Sequence, residues 1–447
     1  MDRRAFLRTT ALGTVAVAGS SSCSGSTPAP ERADPSVRAG WSALGSSNAP
    51  AGSSVRTGFE MLADSGYALV RGHRVGLVSN PTGVVRDLRH EVDVMADSGQ
   101  VDLVAAFGPE HGFRGDARYG GGGSVYRDPR TGIRVYDTYD MGPIEIAGLF
   151  RDTGIDTVMF DIQDVGARFF TYIWTMYDCM VAASRARVRF VVLDRPNPIS
   201  GRQAYGPVMH PQYATFVGRR KIALQHAMTV GELARMFNAE FIGDEAHAAG
   251  RVDLEVSQMA GWRRDLFYDQ TGLPWVMPSP SMPQLETAMV YPGTCLFEGT
   301  NLSEGRGTTR PFELIGAPYV NHRWARELSR EDLRGVDFRE TYFEPVSSEY
   351  GGRTCGGVQL HVTDRREFDA VRTAVAMMVT ARRLYGGDFA WSESSSPYWI
   401  DLLTGSNAVR KAIDAGASTG DVVHGWQDDL EAFRRRREPY LLYGSTS

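Results

Sequence analysis

The strongest constraint on the fold is a pattern that recurs between residues 75 and 194. Four short, mostly apolar runs rich in Val, Ile, Leu and Phe, at 75–79, 101–107, 155–161 and 188–194, alternate with stretches of helical periodicity at 91–98, 144–152 and 170–185. Strands that are apolar on both sides need cover on both sides, so the alternation predicts an α/β protein with a parallel sheet flanked by helices. In the last helical stretch Phe170, Ile173, Trp174, Tyr177 and Val181 recur at helical spacing, a stripe read as core. Cys179 falls on the same apolar helix and is read as packed.

The polar residues at the end of each strand carry the functional information. The first strand runs into Ser79-Asn80-Pro81-Thr82-Gly83 and the second into Gly108-Pro109-Glu110-His111-Gly112-Phe113-Arg114-Gly115. The third gives Asp161-Ile162-Gln163-Asp164-Val165-Gly166-Ala167-Arg168, and the fourth Asp194-Arg195-Pro196-Asn197-Pro198. In an open parallel sheet these carboxyl ends share one edge, where ligands bind. Asn, Pro and Gly serve turns, whereas Glu110, His111, Asp164 and Arg168 are not needed for that. A polar cleft is expected at this edge.

Several chemistries lack their signatures. The glycine run 120–123 does not form a G-x-G-x-x-G turn opening a helix after the first strand and reads as a mobile loop. The only lysines are Lys221 and Lys411, so a phosphate-binding P-loop is absent. His111, His210 and His226 have no i,i+4 partner and no H-E-x-x-H occurs, so no metal is expected. No G-x-S-x-G follows any of the four predicted strands, so there is no serine elbow at the sheet edge, which disfavours an esterase or deacetylase. No cofactor is called for. The remaining reagents are carboxylates beside an imidazole.

In the second half, Thr229-Val230-Gly231-Glu232 has capping-box spacing and predicts a helix to about residue 242. The stretch 273–292 holds Pro274, Pro278, Pro280, Pro283 and Pro292. That density argues against regular helix or central strand, and the segment is expected to drape across a domain junction. Residues 291–312 place Glu298, Asn301, Glu304, Arg306 and Arg310 among glycines that let backbone approach a ligand, and site lining is expected. Residues 367–385 predict a helix packed on a strand at 357–362. The run Arg434–Arg437 with Glu438 reads as a solvated helix end at its favourable dipole pole.

Composition enters at the N-terminus. Arg3-Arg4-Ala5-Phe6-Leu7-Arg8 and the short apolar stretch to Gly19 predict a twin-arginine-like signal peptide over residues 1–22, with Cys23 as a candidate lipidation site. Residues 23–54, rich in Ser, Gly, Ala and Pro, read as a flexible tether. An exported protein is expected, either secreted or held to the membrane through Cys23. Removing the leader moves the net charge from -5 to about -7. With pI near 6.0, nucleic acid is a poor partner. Cys179, Cys295 and Cys355 form no C-x-x-C pair, although Cys295 and Cys355 could form a disulfide outside the cytoplasm.

The strand-end motifs resemble the NamZ-type exo-β-N-acetylmuramidases, long catalogued only as a domain of unknown function. The resemblance extends through Pro278-Ser279-Pro280-Ser281-Met282-Pro283 and residues 291–312, and it spans nearly the whole chain from Val55. One departure is Ser281, where the family pattern leads one to expect asparagine. The resemblance implies a Rossmann-like catalytic domain (55–288) and a smaller C-terminal α/β domain (289–447) completing the cleft. It also implies release of N-acetylmuramic acid from the non-reducing ends of peptide-free peptidoglycan, so the partners would be peptidoglycan-derived glycans. Such chemistry needs a proton donor and a second carboxylate. Glu110, beside His111, is the first candidate, and Asp164 and Glu298 are candidates for the second. Arg168, Arg306 or Arg310 could hold the lactyl carboxylate. Asn80, Gln163 and Asn301, with Glu304, are candidate substrate contacts. A non-catalytic wall-sugar-binding lipoprotein is the alternative, and it would use the same cleft.

Overall fold

The computed structural model describes residues 54–115, 124–393 and 397–445. The leader, nearly all of the tether, Cys23 and the glycine run 120–123 lie outside the described residues. Strands β1 (Arg74–Ser79), β2 (Asp102–Gly108), β3 (Val125–Arg127), β4 (Arg134–Asp137), β5 (Thr157–Asp161) and β6 (Arg189–Leu193) are followed by a small hairpin, β7 (Tyr205–Val208) and β8 (Ala223–Gln225), and then by β9 (Leu254–Ser257). All but the hairpin strands join one seven-stranded sheet of order β3-β4-β2-β1-β5-β6-β9, parallel throughout except that β3 runs against β4. The four predicted strands are β1, β2, β5 and β6, each bounded within two residues of the sequence reading.

The two-residue period of a strand explains the layering. Val158 and Phe160 on β5, with Phe190 and Val192 on β6, feed one core, while Met159, Val191 and Leu193 feed the other. The second core is closed by α1 (Gly58–Asp64) and α2 (Glu91–Ser98) through Phe59, Leu62, Val92 and Met95. The first is closed by α3 (Pro143–Thr153), α4 (Tyr172–Ala186) and α5 (Val230–Glu240). Trp174 of α4 stacks on Phe237 of α5 with ring centroids 5.4 Å apart. The capping box of α5 forms as its sequence requires: Glu232 accepts from the Thr229 amide at 3.1 Å and the Glu232 amide donates to the Thr229 hydroxyl at 3.2 Å.

The smaller C-terminal domain begins with α6 (Leu285–Thr294) and carries an antiparallel sheet, β10 (Leu314–Ala317), β11 (Val336–Phe343) and β12 (Cys355–Val362), in the order β10-β12-β11. Helix α7 (Arg323–Leu328) packs on it, α8 (Ala370–Leu384) packs on α6 and α7, and α9 (Trp399–Thr404), α10 (Ala408–Asp414), α11 (Thr419–His424) and α12 (Gln427–Arg437) complete the chain. No helix among the described residues is long and apolar enough to cross a membrane.

Three expectations change here. The proline-dense stretch does contain helix, because α6 takes Pro292 into its interior. Proline removes a single backbone donor there, and Tyr291 beside it packs against Phe169, Phe170 and Phe312 at 5.3, 5.8 and 4.7 Å between centroids. Cys295 and Cys355 are free, buried thiols; Cys355 opens β12, whereas Cys295 follows α6. The arginine run of α12 is not a uniformly solvated end. Arg437 is buried and donates to the carbonyls of His226 (3.0 Å), Ala227 (2.6 Å) and Arg202 (3.0 Å), and Arg434 donates to that of Ala204 (2.8 Å). These two arginines fasten the last helix to the N-terminal domain, whereas Arg435 turns outward and pairs with Glu431 on its own helix.

Candidate active site

Where the carboxyl edge of the parallel sheet meets the C-terminal domain, an open cleft is lined from both sides. The loop after β2 supplies Glu110 and His111, and the entry to α4 supplies Phe169, Phe170, Thr171 and Tyr172. The proline-dense segment contributes Ser279, Ser281 and Met282, and the C-terminal domain contributes Tyr291, Cys295, Glu298, Arg306, Phe312 and Trp399. Two wall residues, His111 (φ 70°) and Phe312 (φ 65°), hold the left-handed backbone region. Side chains other than glycine rarely adopt it, and such conformations cluster at functional sites.

Glu110 is fixed from α4. The Thr171 hydroxyl donates to its Oε2 at 3.1 Å, and the Tyr172 hydroxyl lies 3.2 Å from its backbone carbonyl and 2.7 Å from that of Pro278. Burial, with the Glu110 charge adding to it, pushes the Tyr172 phenol far above its ordinary range, so it remains a donor.

On the opposite wall Arg306 gathers two carboxylates. Its Nη1 donates to Glu298 and, at 3.0 Å, to Glu304, and its guanidinium sits 4.6 Å from the centroid of the Phe312 ring. Burial works against the Arg306 charge, but the Glu298 and Glu304 carboxylates outweigh it and hold the proton well above the arginine norm. Glu304 lies behind, and burial raises its pKa against the pull of Arg306. Gly305 (φ 77°) supplies the turn that lets Glu304 and Arg306 meet. Gly299 has no room for a side chain, since a Cβ there would lie 2.7 Å from the Cα of Ile400. That approach brings Glu298 to α9, where Trp399 Nε1 is 3.4 Å from its Oε2. Burial raises the pKa of both Tyr291 and Cys295, leaving them neutral parts of the wall.

The structure therefore brings Glu110, His111, Glu298 and Arg306 together, with Glu304 directly behind. The other residues singled out from the sequence are elsewhere. Arg168 is fully buried and donates to the carbonyls of Pro207 (3.1 Å), Ile222 (3.2 Å) and Leu403 (2.6 Å), which pins α9 to the N-terminal domain. Asn80 holds its own loop, and Gln163 ties two strand ends to one another. Asn80 Oδ1 accepts from the Thr82 amide (2.9 Å) and hydroxyl (2.5 Å), and Gln163 Nε2 donates to the carbonyls of Asp164 (2.7 Å) and Pro196 (2.8 Å). Asp164 accepts from the Gly166 amide at 2.7 Å and faces buried His226 at 3.2 Å. Asn301 bridges Tyr319, Asp388 and Ala390, and Arg310 pairs with Glu313 at 3.0 Å. None of these six lines the cleft. Convergent strand ends expose backbone groups that must find partners, and Arg168, Asn80, Gln163 and Asp164 each satisfy at least one of them.

Thr171, Tyr172, Tyr139, Phe216 and Trp399 line the cleft and were not singled out for it. A signal existed for the first two, since the polar pair Thr171-Tyr172 opens a helix immediately after a strand-end motif. Among the described residues no group of three or more His, Cys, Asp or Glu is placed to hold a metal ion.

Residues 75–286 match the family model for the N-terminal part of the exo-β-N-acetylmuramidase NamZ, and residues 289–443 match the model for its C-terminal part. A peptidoglycan β-N-acetylmuramidase NamZ of Bacillus subtilis (strain 168) is 43% identical over 390 residues, covering 87% of this chain and 91% of that protein. Two solved DUF1343 family proteins of Bacteroides fragilis NCTC 9343 are similar in structure. One has a TM-score of 0.80 at 34% identity, covering 87% of this chain and 99% of its own; the other has 0.71 at 29%, covering 88% and 100%.

Proposed function

The chain belongs to the NamZ exo-β-N-acetylmuramidase family of glycoside hydrolases, and on that basis we propose that it releases N-acetylmuramic acid from the non-reducing ends of peptide-free peptidoglycan chains. The observation that carries the reading is the meeting of Glu110 and Glu298, from different domains, in one cleft with Arg306. Cleavage of a glycosidic bond needs a group that protonates the leaving oxygen and a second that attacks the anomeric carbon or activates water. Glu110 and Glu298 form this pair, and His111 lies beside the first. Arg306 uses Nη1 for its two carboxylates, and its other nitrogens make no hydrogen bond among the described residues. Its side chain is 34% exposed. That free edge suits the lactyl carboxylate, the group that distinguishes muramic acid from glucosamine. The aromatic wall of Tyr139, Phe170, Phe216 and Trp399 offers apolar cover for the sugar face and the acetamido methyl.

The twin-arginine-like leader and tether support action outside the cytoplasm, with Cys23 as an anchor point. The central test is Glu110→Gln assayed on a chromogenic N-acetylmuramide. Turnover is expected to drop by about 10²–10⁴-fold with thermal unfolding unchanged. Near-wild-type turnover would refute the role of Glu110.

A further inference from the structure

We infer that Thr171 is a positioning residue for catalysis: its hydroxyl fixes the orientation of the Glu110 carboxylate in the cleft. The inference rests on the proposed role of Glu110 and adds a residue that the proposed mechanism does not use. Thr171 occupies the N-cap of α4. A threonine there ordinarily turns its oxygen back to accept from the second or third amide of the helix. This one makes no such bond; its backbone is helical (φ -69°, ψ -7°) and its hydroxyl instead reaches Glu110 Oε2 at 3.1 Å. The next residue reinforces the placement, because the Tyr172 hydroxyl is 3.2 Å from the Glu110 carbonyl. Consecutive residues of one helix entry thus hold the side chain and the main chain of Glu110. The local cap is forgone, and the gain is a carboxylate with Oε2 tethered and Oε1 left for the substrate.

The second carboxylate, Glu298, takes its hydrogen bonds from Arg306 and Trp399 on the opposite wall, so loss of the Thr171 hydroxyl leaves its placement unchanged.

The test compares Thr171→Val, which keeps the shape and loses the donor, with Thr171→Ser, which keeps the donor. Both are assayed on a chromogenic N-acetylmuramide beside Glu110→Gln, with thermal unfolding recorded. Thr171→Val should lower kcat about tenfold or more and change KM by less than about twofold. Thr171→Ser should restore kcat. A kcat of Thr171→Val within about twofold of wild type, or one that Thr171→Ser does not restore, overturns the inference. So does a loss of activity that tracks unfolding temperature in both variants, which marks a structural role. If Glu110→Gln keeps its activity, the reading of Glu110 fails and this inference falls with it. A dead Glu110→Gln beside an unaffected Thr171→Val removes only the positioning role.

Discussion

Replacing Arg168 by methionine separates two roles that the same residue type could play. The guanidinium makes three hydrogen bonds to buried carbonyls, at 3.1, 3.2 and 2.6 Å, and none to a carboxylate. Methionine retains much of the apolar stem but no donor. Each carbonyl left without a partner costs about 1–3 kcal/mol. Relief from desolvating a buried cation offsets part of the loss, so a net destabilisation of about 3–5 kcal/mol is expected. The shortest bond, to Leu403, lies in the last turn of α9, where a cation is also favoured by the helix dipole. Urea unfolding followed by far-UV circular dichroism reads the loss as a lower midpoint at similar slope. Because α9 carries Trp399 and Leu403 into the cleft wall, surviving folded enzyme should show reduced turnover on every substrate. Had Arg168 been a ligand for the lactyl carboxylate, the outcome would be inverted. A variant within about 1 kcal/mol of wild type, with KM raised only for muramides, would refute the clamp.

Charges at two other positions give measurable outcomes. Arg306→Met frees Glu298 and Glu304 from their shared donor and lowers activity generally, but the informative quantity is discrimination. The ratio of kcat/KM for an N-acetylmuramide over the matching N-acetylglucosaminide should fall by about 10–100-fold, the worth of a charge-assisted contact; an unchanged ratio would place the lactyl site elsewhere. Asp194 is buried under bonds from Tyr443 (2.6 Å), Thr229 (2.8 Å) and the Gly231 amide (2.8 Å), and burial raises its pKa to about 7 from the ordinary 3.8. The folded chain therefore binds this proton more tightly than the unfolded one. The resulting stabilisation is complete below about pH 4 and is lost as pH rises towards 7, by up to about 4 kcal/mol. Asp194→Asn should flatten that part of the stability profile in urea unfolding, and an unaltered slope would assign it to other groups.

The sheet was legible because strands buried on both faces are mainly apolar, and β6, Arg189-Phe190-Val191-Val192-Leu193, shows that composition directly. The cleft was legible where chemistry and position coincide, as at Glu110 and Arg306. It was less so at Arg168, Asn80, Gln163 and Asp164, which have the same residue types and the same strand-end placement. A polar side chain beside a strand end can face a ligand or satisfy the backbone behind it, and local sequence does not distinguish the two. Trp399 and Phe216 reach the wall from segments far apart in the chain, with ring centroids 6.0 Å apart, and no local pattern announces such a meeting. The arginines of α12 misled for a similar reason. Arginine suits a solvated helix end, but its five donors equally suit a cluster of buried carbonyls.

The position of the cleft relative to the sheet has a physical cause. In an order running β2-β1-β5-β6, the topological switch lies between β1 and β5, and that crevice is where doubly wound sheets ordinarily bind ligands. Here it is filled by the protein's own side chains. The hydroxyl of Ser79, ending β1, lies 2.5 Å from a Glu91 carboxyl oxygen and 3.0 Å from the carbonyl of Asp161, and Asp161, ending β5, is paired with Arg195. All four residues are buried. Burial, and then the neighbouring Asp161 charge, raises the Glu91 pKa well above the ordinary carboxylate range. Gly83 packs so tightly against it that a Cβ there would meet the Ser79 hydroxyl at 2.2 Å. With the switch point sealed, the next strand end, that of β2, is left to present ionisable groups to solvent. It carries Glu110 and His111 to the side on which α4 and the C-terminal domain stand. The second domain supplies a wall and a second carboxylate, Glu298, so the cleft is built between domains rather than over the sheet.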